Sequence, residues 1–221
     1  MLTRFLAIAL LLLLSAVGAS AGMELRIIDG DTIDLDGVRY RLHGIDAPEA
    51  GQSCKSAKGE EWPCGQVALQ KMESLVIGNV VTCIPREKDG YGRWIASCRT
   101  GDKDINGEMI SSGLAWAFRK YSEDYVATEE IARTQRIGIW QADTETAWEF
   151  RSHKWEGAAL SAPLSGCPIK GNINRQSEKI YHAPWSKDYK KTKIDTRKGE
   201  RWFCTEGEAV AAGWRAPQWG K

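Results

Sequence analysis

Three short clusters hold residue types able to act together on a phosphate. The first is Asp29-Gly30-Asp31-Thr32. The second runs Arg41-Leu42-His43-Gly44-Ile45-Asp46-Ala47-Pro48-Glu49, and the third is Tyr91-Gly92-Arg93. Asp31 and Asp46 are hard oxygen donors suited to calcium or magnesium. Arg41 and Arg93 can grip a phosphate through paired hydrogen bonds and stabilise charge that develops on it. Glu49 is left to act as a base toward an attacking water. A hard cation, two guanidiniums and a base are the parts needed to hydrolyse a phosphodiester. Taken singly, each cluster has a plainer reading. Asp-Gly-Asp is commonly a turn, and Ile33 stands where an EF-hand would need its next ligand. Arg41 could simply pair with a neighbouring strand. The signal lies in the combination.

The elements that must position these groups follow from local patterning. Residues 24–46 alternate apolar and polar and predict strands, with Asp29-Gly30-Asp31 and Asp36-Gly37 as the turns between them. Arg41 and Asp46 are five apart, so one straight strand would not make them neighbours. Pro48 forbids a regular ladder, so Asp46 to Glu49 must leave the strand and present carboxylates at a rim. Gly65 to Ile77 predicts a helix with a broad apolar stripe, ended by Gly78-Asn79. Val80–Ile84 and Trp94–Cys98 predict a hairpin around Asp89-Gly90-Tyr91-Gly92. Asp104 to Phe118 predicts a second helix, and Glu129 to Ile137 a third. Strands first and helices interleaved afterwards indicate an α+β fold, a small barrel with helices packed on it.

The ends and the charge divide the chain further. Met1 to Arg4 is basic, Phe5 to Leu14 is almost wholly apolar, and Ala19-Ser20-Ala21 fits the small-x-small rule. Residues 1–21 are therefore expected to be a secretory signal peptide. Its apolar run is roughly 12 residues against the ~20 needed to span a bilayer, which favours cleavage over an anchor. No stable membrane insertion is expected afterwards, and the localisation is secreted or periplasmic. From Gly22 to Phe150 there are 15 basic and 22 acidic residues; from Arg151 to Lys221 there are 14 and 7. That asymmetry predicts two units: 22–150, and a small basic module at 167–221. A linker over 151–166 joins them, with Gly157 to Gly166 small and uncharged. The module is a candidate anchor for a cell-envelope polyanion.

Export makes six cysteines a disulfide question. Spacing favours Cys54 with Cys64, Cys83 opposite Cys98 on the hairpin, and Cys167 with Cys204 closing most of the C-terminal module. A zinc site from Cys167, His182 and Cys204 is the alternative.

Together, the string from Ile28 to Glu49, Tyr91-Gly92-Arg93, Asn106 to Ala115 and Gly138-Ile139-Trp140 resembles the thermonuclease (staphylococcal nuclease-like) family over roughly residues 24–142. The resemblance implies a five-stranded OB-type β-barrel with three packed helices. It also implies calcium-dependent hydrolysis of DNA and RNA that leaves 3′-phosphorylated products; separately, a monomer is expected. It places Asp31, Asp46 and the main-chain carbonyl of Ala47 on the metal, with Asp29 in support. Arg41 and Arg93 fall on the phosphate-binding arginines and Glu49 on the general base. Tyr121 matches a tyrosine of the nucleotide pocket, where a second aromatic is replaced by Arg119. Two departures stand out. The cysteine-closed loop over 50–64 is long enough to restrict access beside Glu49, and the nuclease-like unit is acidic. The alternative is a non-catalytic OB-fold module that binds nucleic acid or another polyanion.

Overall fold

The alternation in residues 24–46 gives three antiparallel strands: β1 (Leu25–Asp29), β2 (Thr32–Leu35) and β3 (Val38–Leu42). The computed structural model that shows this describes residues 24–217, so the expected signal peptide lies outside the described residues. A two-residue strand β4 (Ile45–Asp46) follows, then a small hairpin of β5 (Cys54–Lys55) and β6 (Glu61–Trp62). Next come helix α1 (Cys64–Val76), strands β7 (Val81–Lys88), β8 (Trp94–Thr100) and β9 (Lys103–Asp104), helix α2 (Ile105–Ser111), strand β10 (Trp116–Ala117) and helix α3 (Val126–Thr134). The main sheet runs β1-β2-β3-β8-β7, with β3 and β8 parallel and β9 added to β8. Its ladder stays open between β1 and β7. Its inner face packs Ile27, Ile33, Leu42 and Ala96 against Met72 and Val76 of α1 and Met109 and Ile110 of α2.

The second helix is shorter than its sequence suggests. It stops at Ser111, and Gly113 turns the chain with φ +63. Trp116-Ala117 is then a strand paired with Ile45-Asp46, not helix. A Cβ on Gly113 would lie 2.3 Å from the Ile137 carbonyl oxygen, so both the backbone angle and the close approach require glycine. Two buried side chains lock the β3–β4 region. Asn106, fully buried, donates to the His43 and Ala96 carbonyls and accepts from the Cys98 N–H. Glu129 of α3 accepts from the Ala117 N–H at 2.8 Å, which holds β10 beside β4.

The stretch expected as a linker is largely helical. Helix α4 spans Ala147–Ala159 and starts at a capping box in which Thr146 and Glu149 satisfy each other's backbone N–H groups. Beyond it, β11 (Ile169–Ile173), β12 (Lys179–His182) and β13 (Arg201–Phe203) form a separate sheet of order β12-β11-β13, covered by α5 (Glu206–Ala211). Its small core of Ile169, Tyr181, Phe203, Ala209 and Trp214 also takes in Ile28 from β1 and is flanked by Trp155 of α4. All three cysteine pairs are disulfides: Cys54–Cys64, Cys83–Cys98 and Cys167–Cys204. The last removes the zinc alternative, and His182 instead bonds Asn172 at 2.9 Å. Closing that long loop contributes about 4 kcal/mol in the chain-entropy model.

Gly113→Ala is expected to cost about 2 kcal/mol or more of stability. Gly78→Ala, at φ +75 with open space around it, should cost only about 1 kcal/mol. Denaturant unfolding of both variants separates the contact from the backbone angle; equal losses would refute the close-approach argument.

Candidate active site

Strand register brings the first two clusters together. Arg41 on β3 lies opposite Thr32 on β2, beside Asp31 in the preceding turn. Gly44, at φ +72, reverses the chain so that Asp46 on β4 returns toward Arg41. The Arg41 guanidinium donates to Asp31 Oδ1 at 3.0 Å and to Asp46 Oδ1 at 2.7 Å. Asp31 is only 3% exposed and Asp46 is 0% exposed. The Ala47 N–H donates to Asp31 Oδ2 at 3.2 Å, and the Asp31 N–H to Asp29 Oδ1 at 3.0 Å. Glu49 sits beside this group on the loop that Pro48 forces out of the ladder.

A further arginine completes the network, and sequence reasoning did not find it. Arg151 of α4 donates to both oxygens of Asp46, at 3.0 and 2.7 Å, and to Glu49 Oε1 at 2.7 Å. Buried ion pairs of this kind hold only when their remaining polar atoms are satisfied, and none of these groups is among the buried polar atoms left without a partner among the described residues. Burial disfavours charge on Arg41 and Arg151, but the facing carboxylates outweigh it and raise both guanidinium pKa values. Burial also pushes the Glu49 carboxyl up to about 7, although Arg151 pulls the other way. Asp31 is raised as well, mainly by burial, against the lowering effect of Arg41.

Asp29, Arg41, Glu49 and Arg151 line a cavity of about 680 Å³, with Asp31 and Asp46 buried behind Arg41. Arg93 reaches the same cavity, held by Asp89 at 2.7 Å and lying 5.1 Å from the Tyr91 ring centre. Tyr121 lines it too, but Arg119 does not. Arg119 turns away to Glu129 at 2.8 Å, and Phe118 supplies the second aromatic, 5.0 Å from Tyr121. No residue of the 50–64 loop is among the cavity's lining residues. Cys54 and Cys64 pack instead with Trp116, Ile139 and Ala147. Access is narrowed from elsewhere, by Trp155 of α4 and by Trp185 and Glu206 of the C-terminal sheet unit.

Among the described residues no three His, Cys, Asp or Glu side chains form a ready-made metal cluster. The groups that could hold a cation are the Asp31 and Asp46 carboxylates and the Ala47 main-chain carbonyl, all hard oxygen. Asp29, Asp31, Asp46 and Glu49 share this network with the guanidiniums Arg41 and Arg151, and carboxylate oxygen is the donor type that a hard divalent cation takes.

The raised Glu49 pKa has a definite sign for stability. In the folded metal-free protein Glu49 keeps a proton that the unfolded chain releases near its ordinary 4.5. Its contribution is therefore fully favourable below about 4.5 and is lost as pH rises through about 7. Glu49→Gln is expected to flatten that part of the stability–pH curve. Arg151→Gln should move the Glu49 titration higher still, read by carboxyl NMR; a downward shift would contradict the network.

Residues 39–142 match the family model described as staphylococcal nuclease homologue. An uncharacterized endonuclease of Escherichia coli O157:H7 is 34% identical over 141 residues, 60% of this chain and 86% of that protein. The micrococcal nuclease of Shigella flexneri is 32% identical over 163 residues, covering 66% and 88%. The succinoglycan biosynthesis protein ExoI of Rhizobium meliloti is 32% identical over 149 residues, covering 65% and 78%. With the sheet order, the three packed helices and the convergence of Asp31, Arg41, Asp46 and Glu49 already in place, these likenesses make the chain a member of the staphylococcal nuclease family.

Proposed function

We propose that the protein is an exported, calcium-dependent endonuclease that hydrolyses phosphodiester bonds of DNA and RNA and leaves 3′-phosphorylated products. The observation that carries this reading is that Arg41, Glu49 and Arg93 line one cavity while the buried Asp31 and Asp46 carboxylates are hydrogen-bonded to Arg41 directly behind its wall. A relative named micrococcal nuclease, aligned over most of its length, supports it. Three disulfides support an oxidising compartment, and no helix among the described residues is long and apolar enough to cross a membrane.

Asp31, Asp46 and the Ala47 carbonyl would hold the calcium ion, which supplies charge neutralisation at the phosphate. The chain's own groups do the rest. Arg41 and Arg93 donate to the non-bridging phosphate oxygens, and their hydrogen bonds strengthen as charge builds there. Glu49, once deprotonated, takes a proton from the attacking water. In the metal-free protein burial holds the Glu49 pKa near 7, which makes it a stronger base than an ordinary carboxylate. The aromatic pair Phe118 and Tyr121 offers a face to the nucleotide.

One observation favours the rival reading, a binding module without chemistry. Asp46 and Glu49 are both engaged by Arg151, so the base and one ligand are occupied until that guanidinium yields. The assay that separates the two uses the oxidised protein on single-stranded DNA and RNA, with calcium and with chelator. Cleavage that needs calcium and disappears in Glu49→Gln is expected. Arg93→Ala should lower turnover by ~10²–10³. Calcium-independent binding with no cleavage would establish the rival. Calcium is also expected to raise the Tm of the wild type, by binding the folded state alone.

A further inference from the structure

We propose that Trp155 and Trp185 form a stacking subsite for an unpaired nucleobase, which makes the C-terminal sheet unit part of the substrate site. This rests on the nuclease reading above. Trp155 lies one helical turn after Arg151, so the two share a face of α4 and both line the cavity. Trp185 comes from the other side of the sequence, in the loop after β12. That loop is held rigidly: Ser186 donates to the Ala183 carbonyl through both its N–H and its hydroxyl, and Ala183 and Pro184 are buried. A Cβ on Gly51 would lie 3.0 Å from the Trp185 carbonyl oxygen, so the loop is seated closely on the segment that follows Glu49.

The two indoles meet with ring centres 6.2 Å apart and planes tilted by 35°. Both remain partly exposed and line the cavity, and Trp155 is braced from behind by the core of the C-terminal unit. They are distinct from the Phe118–Tyr121 pair, which sits on the β10–α3 connection. A wall of two large π faces beside guanidiniums suits a ligand with a flat ring and a phosphate. Glu206, on the same wall, receives a hydrogen bond from the Tyr181 hydroxyl at 2.8 Å. Its carboxylate keeps phosphate off this wall and leaves it to the base. Base–aromatic stacking is tolerant of sequence because every base has a π face. In a duplex those faces are covered by neighbouring pairs, so the subsite selects single strands.

The test is made on the full chain carrying Glu49→Gln, so that binding is read without cleavage. Labelled single-stranded DNA and an abasic deoxyribose-phosphate strand of equal length are compared by anisotropy, with calcium present. Trp185→Ala is expected to weaken binding of the base-bearing strand about tenfold and leave the abasic strand within about twofold. Trp185→Phe, which keeps a stacking face, should restore most of the loss. In the Glu49-containing protein, Trp185→Ala should raise KM for single-stranded DNA with kcat nearly unchanged. Equal losses for both strands, or no loss for either, would overturn the subsite. Absence of base-dependent binding in the parent would overturn it too. Base-dependent binding by a wild type that cleaves nothing would sink the nuclease reading and leave the subsite standing.

Discussion

Everything near the site depends on one constraint: the Asp46 carboxylate is wholly buried and must be paired. Its oxygens are shared by Arg41 and Arg151, which come from segments far apart in the sequence. An uncompensated buried charge costs several kcal/mol, so removing one partner of such a pair typically costs 3–5 kcal/mol. Asp46 thus sets the position of both arginines and, through Arg151, the docking of α4. Glu49 is drawn into the same network because Arg151 reaches it with the nitrogen that also contacts Asp46.

This arrangement ties the cavity-lining Glu49 to the buried Asp46. Glu129 holds β10, β10 pairs with β4, and β4 presents Asp46. From the other side, the Thr146–Glu149 box starts α4 at the register that aims Arg151 inward. A disturbance at either end reaches the carboxylates through rigid elements. Because Arg151 already occupies the Asp46 and Glu49 oxygens, any cation drawn to them would have to displace that guanidinium.

Much of this was legible in the chain. The turn at Asp36-Gly37 dictates that Arg41 faces Thr32, and the disulfide at Cys83–Cys98 followed from the hairpin turn. Other features were hidden for physical reasons. Arg151 pairs with Asp46 across 105 residues, and no local pattern encodes such a contact. The sequence did carry one clue, the Thr146-Ala147-Trp148-Glu149 capping box, which marks a helix where a linker was expected. Matching the family's aromatics position by position put Arg119 beside Tyr121, whereas Phe118 is the residue that lines the cavity there. Extended backbone at Trp116-Ala117 replaces the helical period expected there, so neighbouring side chains go to opposite sides. The 50–64 loop was visible as a closed ring, but nothing local told which way it would lean; Trp116 and Ile139 draw it away from the cavity.

Ile28 has a consequence beyond its own packing. It stands on a strand of the main sheet yet belongs to the core of the C-terminal sheet unit, along with the flank of Trp155. The two units therefore share interior rather than merely touching at a surface. Cutting the chain before Cys167 would not release a self-sufficient nuclease. It would uncover an oily seam beside the cavity mouth, and such a fragment would tend to stick to its own kind. For the same reason the C-terminal unit cannot be moved onto another member of the family as a ready-made cassette unless the recipient strand offers it a matching apolar side chain.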